Sequence, residues 1–210
     1  MLAAMTVESW PHVVELRLQV ADRFETLAPA NWEAASWCPG WRVRDVLGHL
    51  VWLAEATRWS VLRDLGLDVL RPNRAVDRMA RQLGDQPVLE LAHRLRASVG
   101  GRFYAPGMPP AVALGEVLVH ACDAFRPLGL DIEVSPATVV PALDAYRRVG
   151  PLTFRTAPQR RARLTATDTA WSAGRGPEAV GRAIDLLLLL AGRRQVLDAL
   201  DGPGAMVLRS

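Results

Sequence analysis

Apolar residues recur at helical spacing through the first two thirds of the chain. Val13, Leu16, Val20, Phe24 and Leu27 form one stripe within Val7 to Leu27, which Pro29 ends. A turn over Ser36-Trp37-Cys38-Pro39-Gly40 leads to a second stripe of Val43, Val46, Leu47, Leu50, Leu53 and Ala54. A third helical region runs from Arg74 to Val99, with a break expected at Asp85-Gln86-Pro87 and closure at Gly100-Gly101. After a loop from Ala105 to Pro110, a fourth helix runs from Ala111 to about Leu128. Four helices with modest loops predict an antiparallel bundle.

Beyond Val134-Ser135-Pro136 the pattern changes. A helix through Arg148 precedes a passage rich in Gly, Pro and Arg, and Arg163 to Thr167 alternates as a short strand does. Ala170-Trp171-Ser172 starts a second strand, and Ser172 to Pro177 forms a turn. Glu178 to Leu190 reads as a helix that Gly192 breaks, followed by a short one from Gln195 to Leu200. The predicted class is α+β, mostly α: a bundle over residues 1–132, then a small α/β domain over 133–210.

Composition narrows the function classes. The 210 residues are 50% hydrophobic and 22% charged, which supports a buried core and excludes a disordered or fibrous chain. The formal net charge is only +3, and the cluster Arg160-Arg161-Ala162-Arg163 lacks interleaved aromatics, so it reads as a solvated edge and no nucleic-acid partner is expected. Two cysteines, Cys38 and Cys122, are too few for a disulfide scaffold or a four-cysteine zinc site. Met1 to Thr6 lacks a basic region followed by a long apolar run, and Ile184 to Ala191 is far shorter than the ~20 residues of a membrane span. A cytoplasmic protein without membrane contact, monomeric or homodimeric, is expected.

The segment Ala111 to Phe125 carries the candidate chemistry. It is apolar nearly all round, as a buried helix is, except for Glu116, His120 and Asp123, which fall within an arc of roughly 60°. Buried without partners, such groups are costly. Either a divalent metal or a hydrogen-bonded Glu–His pair satisfies them, and Glu at i with His at i+4 projects an oxygen and a nitrogen towards one point. Among the other histidines, His12 follows Pro11, and His93 lies among Glu90, Arg94 and Arg96. His49, on the apolar stripe of the second helix, is the best third ligand. Three ligands leave an open coordination position, the mark of a catalytic site. Asp123 either orients a ligand from behind or pairs with Arg126. Cys38 either lines the pocket or packs within its turn, whereas Cys122 lies about 160° round the helix from His120 and faces elsewhere.

Three runs together resemble the mycothiol-dependent maleylpyruvate isomerase family, which belongs to the DinB-like metal-binding four-helix bundles. They are Cys38-Pro39-Gly40-Trp41-Arg42-Val43-Arg44-Asp45-Val46-Leu47-Gly48-His49-Leu50, Gly115 to Gly129, and Ala166 to Pro177 continuing to Arg193. The resemblance implies that His49, Glu116 and His120 bind a divalent metal, typically zinc. It also implies that the metal activates the thiol of mycothiol, which serves a small electrophilic substrate in an isomerase or transferase. It points further to a functional arginine in the C-terminal part, best matched by Arg193, as a catalytic or cofactor-binding group whose alternative is a helix-terminal charge facing solvent. Metal-bound hydroxide acting as a hydrolase or lyase on the same site, or a non-catalytic metal-binding protein, are the alternatives. One departure concerns Arg42, which stands where relatives carry Thr or Ser and has no oxygen with which to cap the second helix.

Overall fold

A computed structural model describes residues 2–66, 68, 71–104, 107–153 and 157–210. The fold is α+β and mostly α, with ten α-helices and one three-stranded sheet among the described residues. Its contacts form two compact units: one of Met1–Ser9, Gly107–Val119 and Glu133–Ser210, the other of Trp10–Pro106 and His120–Ile132. Of the loop expected before the fourth helix, Ala105 and Pro106 lie outside the described residues.

The second unit contains most of α1 (Leu2–Thr26), then α2 (Pro29–Trp32), α3 (Val43–Glu55), α4 (Arg58–Leu65), α5 (Pro72–Gly84) and α6 (Val88–Ala97), and the last turns of α7 (Ala111–Phe125). The α1 stripe is buried at Val13, Leu16, Val20 and Phe24, and the Phe24 and Phe125 rings meet at 5.3 Å. Pro29 does more than end α1: it occupies the first position of α2, where a missing N–H costs nothing. The helix α4 was not apparent from periodicity because it buries no residue; it starts at Thr57, whose hydroxyl accepts from the Ser60 N–H at 3.1 Å. Helix α3 packs on α5 and α6. Small residues permit the α3–α5 approach, since a Cβ on Gly48 would lie 2.5 Å from the Ala80 carbonyl oxygen and 2.7 Å from the Gly84 nitrogen.

Arg42 precedes α3 and is no obstacle to it. The Asp45 carboxylate reaches back to accept from the Arg42 N–H at 2.8 Å, and the Arg42 guanidinium binds the same carboxylate at 2.7 and 3.1 Å. The cap thus comes from the third helical residue, the reciprocal half of a capping box. Arg17 on α1 is buried, and burial pushes its guanidinium down to about 10. It donates to the Ser98 and Gly101 carbonyls at 3.0 and 2.8 Å, satisfying backbone acceptors beyond α6.

The first unit contains the start of α7, α8 (Pro136–Thr153), β1 (Arg163–Ala166), β2 (Ser172–Gly174), β3 (Glu178–Gly181), α9 (Ala183–Leu190) and α10 (Pro203–Arg209). The sheet order is β2-β1-β3, with Leu164 opposite Ala173 in the antiparallel pair and opposite Ala179 in the parallel one. The helix expected from Glu178 is therefore a strand followed by a shorter helix. Ala179 and Gly181 alternate inward, and Gly181 lies so close to Leu200 that a Cβ there would be 2.3 Å from its Cδ2. The Asp168 carboxylate then accepts from the Ala183 N–H at 2.8 Å and starts α9, every residue of which is buried. Gln195 to Leu200 is a 3-10 turn spanning Arg194–Ala199.

Candidate metal centre

Helix α3 presents His49 inward, 5% exposed, between two indoles. The Trp41 ring lies 5.3 Å away and the Trp52 ring 6.1 Å away, centroid to centroid. Each indole is held from behind: Trp41 Nε1 donates to Asp77 at 2.8 Å and Trp52 Nε1 to Asp64 at 2.9 Å. The Trp41 N–H, with Arg81 behind it, holds the Asp77 carboxyl below its ordinary value. The His120 ring meets His49 edge-on at 4.5 Å and lies nearly parallel to Trp41 at 6.3 Å.

Helix α7 is uninterrupted from Ala111 to Phe125, so Glu116 stands one turn before His120 on the same face. The Tyr146 hydroxyl on α8 donates to Glu116 Oε1 at 2.8 Å. Gly115 admits the Tyr146 ring, because a Cβ there would lie 2.2 Å from Tyr146 Cε2. Behind His120, Nδ1 lies 3.0 Å from Asp123 Oδ2, and Asp123 is fully buried. Asp123 thus faces the imidazole, while Arg126 pairs with Asp131 at 3.3 Å. Cys38 Sγ is 3.1 Å from the same Asp123 oxygen.

One ligand atom from each of His49, Glu116 and His120 lies within 4.8 Å of the others. An ion held at ~2.0–2.2 Å needs ligand atoms no more than about 4.4 Å apart, close to the spacing of this set. Two neutral imidazoles and a carboxylate suit zinc and its neighbours. With Nδ1 against a carboxylate, Nε2 is the His120 nitrogen that would face an ion, the usual arrangement where a histidine binds metal.

His12, His93 and Cys122 are not part of this group. His12 is half-buried beside Glu15 at 3.8 Å, and His93 is exposed beside Glu25 at 3.9 Å. Cys122 faces Asp131. Arg193 follows α9 and donates to the Ala191 carbonyl at 2.8 Å. Trp41, Trp52, Tyr146 and the orientation of Cys38 were not read from the sequence. Trp52 at three residues from His49 was the available signal, since that spacing places it on the same helix face.

Residues 13–102 match the family model described as the mycothiol maleylpyruvate isomerase N-terminal domain. A crystal structure of a variant of the mycothiol-dependent maleylpyruvate isomerase is similar in fold, with a TM-score of 0.58 at 12% identity, covering 95% of this chain and 93% of that one. A search of curated proteins finds no match.

Tyr146→Phe tests the support behind Glu116. Zinc affinity, measured by chelator competition, is expected to fall about 10-fold, as for other outer partners of metal ligands. Thermal stability is expected to fall by no more than about 1 kcal/mol, the net worth of one hydrogen bond.

Proposed function

We infer that this protein is a metal-dependent enzyme using a low-molecular-weight thiol, mycothiol, in an isomerase or transferase reaction on a small electrophile such as maleylpyruvate. The observation that carries the reading is the convergence of His49, Glu116 and His120 within ligand distance of one another. The matched domain family supplies the thiol and substrate class. When bound, the metal supplies Lewis acidity that keeps a thiol in its anionic, nucleophilic form at neutral pH.

The chain's own residues do the rest. His49 and His120 offer neutral nitrogen donors, and Glu116 lowers the charge of the centre while leaving it cationic. Tyr146 orients Glu116, and Asp123 orients His120. Trp41 and Trp52 shield His49 from water on two sides, which strengthens electrostatic interactions there. No lysine occurs in the chain, so no ammonium is available as an alternative activator of the thiol. Arg193 is the cation proposed for an acidic substrate group or the polar part of the thiol.

The test is cis–trans isomerisation of maleylpyruvate by the zinc-loaded protein with mycothiol, glutathione or no thiol. Turnover with mycothiol alone supports the reading. Equal turnover without thiol contradicts it.

A further inference from the structure

The turn before α3 brings a thiol to the back of the metal centre. Trp37 N–H donates to the Asp123 carbonyl at 2.9 Å. That carbonyl is open to it because the residue four positions on is Pro127, which has no N–H to offer. Within the turn, Ser36 Oγ accepts from the Cys38 N–H at 3.1 Å and donates to the Trp41 carbonyl at 2.9 Å. Trp41 N–H returns to the Cys38 carbonyl at 3.0 Å, across Gly40 at φ +77°. The turn is thereby pinned to α7, and Cys38 is buried with Sγ 3.1 Å from Asp123 Oδ2 and 3.6 Å from His120 Nδ1.

Sγ and Nδ1 both face Oδ2, and a carboxylate oxygen is an acceptor, so this geometry pairs it with Sγ–H from Cys38 and Nδ1–H from His120. A neutral imidazole protonated at Nδ1 carries its lone pair on Nε2. We propose that Cys38 is a positioning residue: its thiol holds the Asp123 carboxylate in the orientation that fixes His120 as the Nδ1–H tautomer, with Nε2 presented for metal. This role rests on the metal-binding reading of His49, Glu116 and His120. Sγ itself is not a ligand here, although Cys38, His120 and Asp123 also lie within ligand distance of one another.

The experiment uses the full chain and metal alone, without thiol or substrate. Wild type, Cys38→Ser and Cys38→Ala are compared by zinc affinity, by the cobalt absorption spectrum, and by the nitrogen chemical shifts of His120 in the metal-free protein. Cys38→Ala is expected to lose about 10-fold in zinc affinity and to mix the two His120 tautomers. Cys38→Ser, which keeps a donor, is expected to restore most of both. Wild-type cobalt protein is expected to show no sulfur-to-cobalt charge-transfer band. Unchanged affinity and tautomer in Cys38→Ala would overturn the proposal, as would a charge-transfer band that disappears in Cys38→Ser, which would make Cys38 a ligand. If the wild type binds no metal, the metal reading fails by itself, and the tautomer comparison still decides what Cys38 does. Should Cys38→Ala not fold, a Cys38→Ser protein with mixed tautomers overturns the proposal and one with the wild-type tautomer supports it.

Discussion

His120→Ala is expected to abolish tight zinc binding and to destabilise the fold at once. The imidazole supplies one of three proposed protein ligands, so its loss should exceed the 10–100-fold penalty typical of an outer partner. It also faces the fully buried Asp123 at 3.0 Å. Removing it takes one donor from a desolvated carboxylate, a loss of about 1–3 kcal/mol. Chelator competition and thermal unfolding of the metal-free protein separate the two effects. In a chain of this size, each kcal/mol lowers Tm by about 2–4 °C. An alanine variant with wild-type zinc affinity would remove His120 from the ligand set, whatever its stability.

Gly48→Ala is expected to be the most disruptive small substitution on α3. In isolation, alanine would favour the helix by about 1 kcal/mol. Here the new Cβ would meet backbone atoms of α5, the Ala80 oxygen at 2.5 Å and the Gly84 nitrogen at 2.7 Å, and backbone cannot rotate aside. Overpacking of this kind costs about 1–3 kcal/mol. The helices must separate, so the intrinsic gain is lost and Tm falls. Because His49 is the next residue, zinc affinity should weaken in parallel. A variant at least as stable as wild type would mean that α3 and α5 do not pack this closely.

Much of this arrangement is legible in the amino-acid pattern. The α3 and α7 stripes are strong because both helices are largely buried, and a buried apolar helix makes its few ionisable residues conspicuous. That is why Glu116, His120 and Asp123 stood out, and why His49 stood out from His12 and His93. What escaped the pattern depends on tertiary pairing. The strand β3 is four residues long and runs almost directly into α9, so Glu178 to Leu190 looks like one helix until β1 pairs with it. The Asp45 cap of α3 escapes the pattern because the accepting carboxylate sits at the third helical position and not at the N-cap. Tyr146 and Cys38 reach α7 from distant segments, through the gap left by Gly115 and the carbonyl freed by Pro127. No local periodicity reports such contacts.

The most direct test of the metal–thiol centre is zinc X-ray absorption of the loaded protein, with and without mycothiol. Before addition, the first shell should contain only nitrogen and oxygen at about 2.0–2.2 Å. After addition, one sulfur should appear at about 2.3 Å. The sulfur should be absent when mycothiol is replaced by its S-methylated form. A zinc shell that acquires no sulfur from mycothiol would contradict a thiol-using centre built on His49, Glu116 and His120.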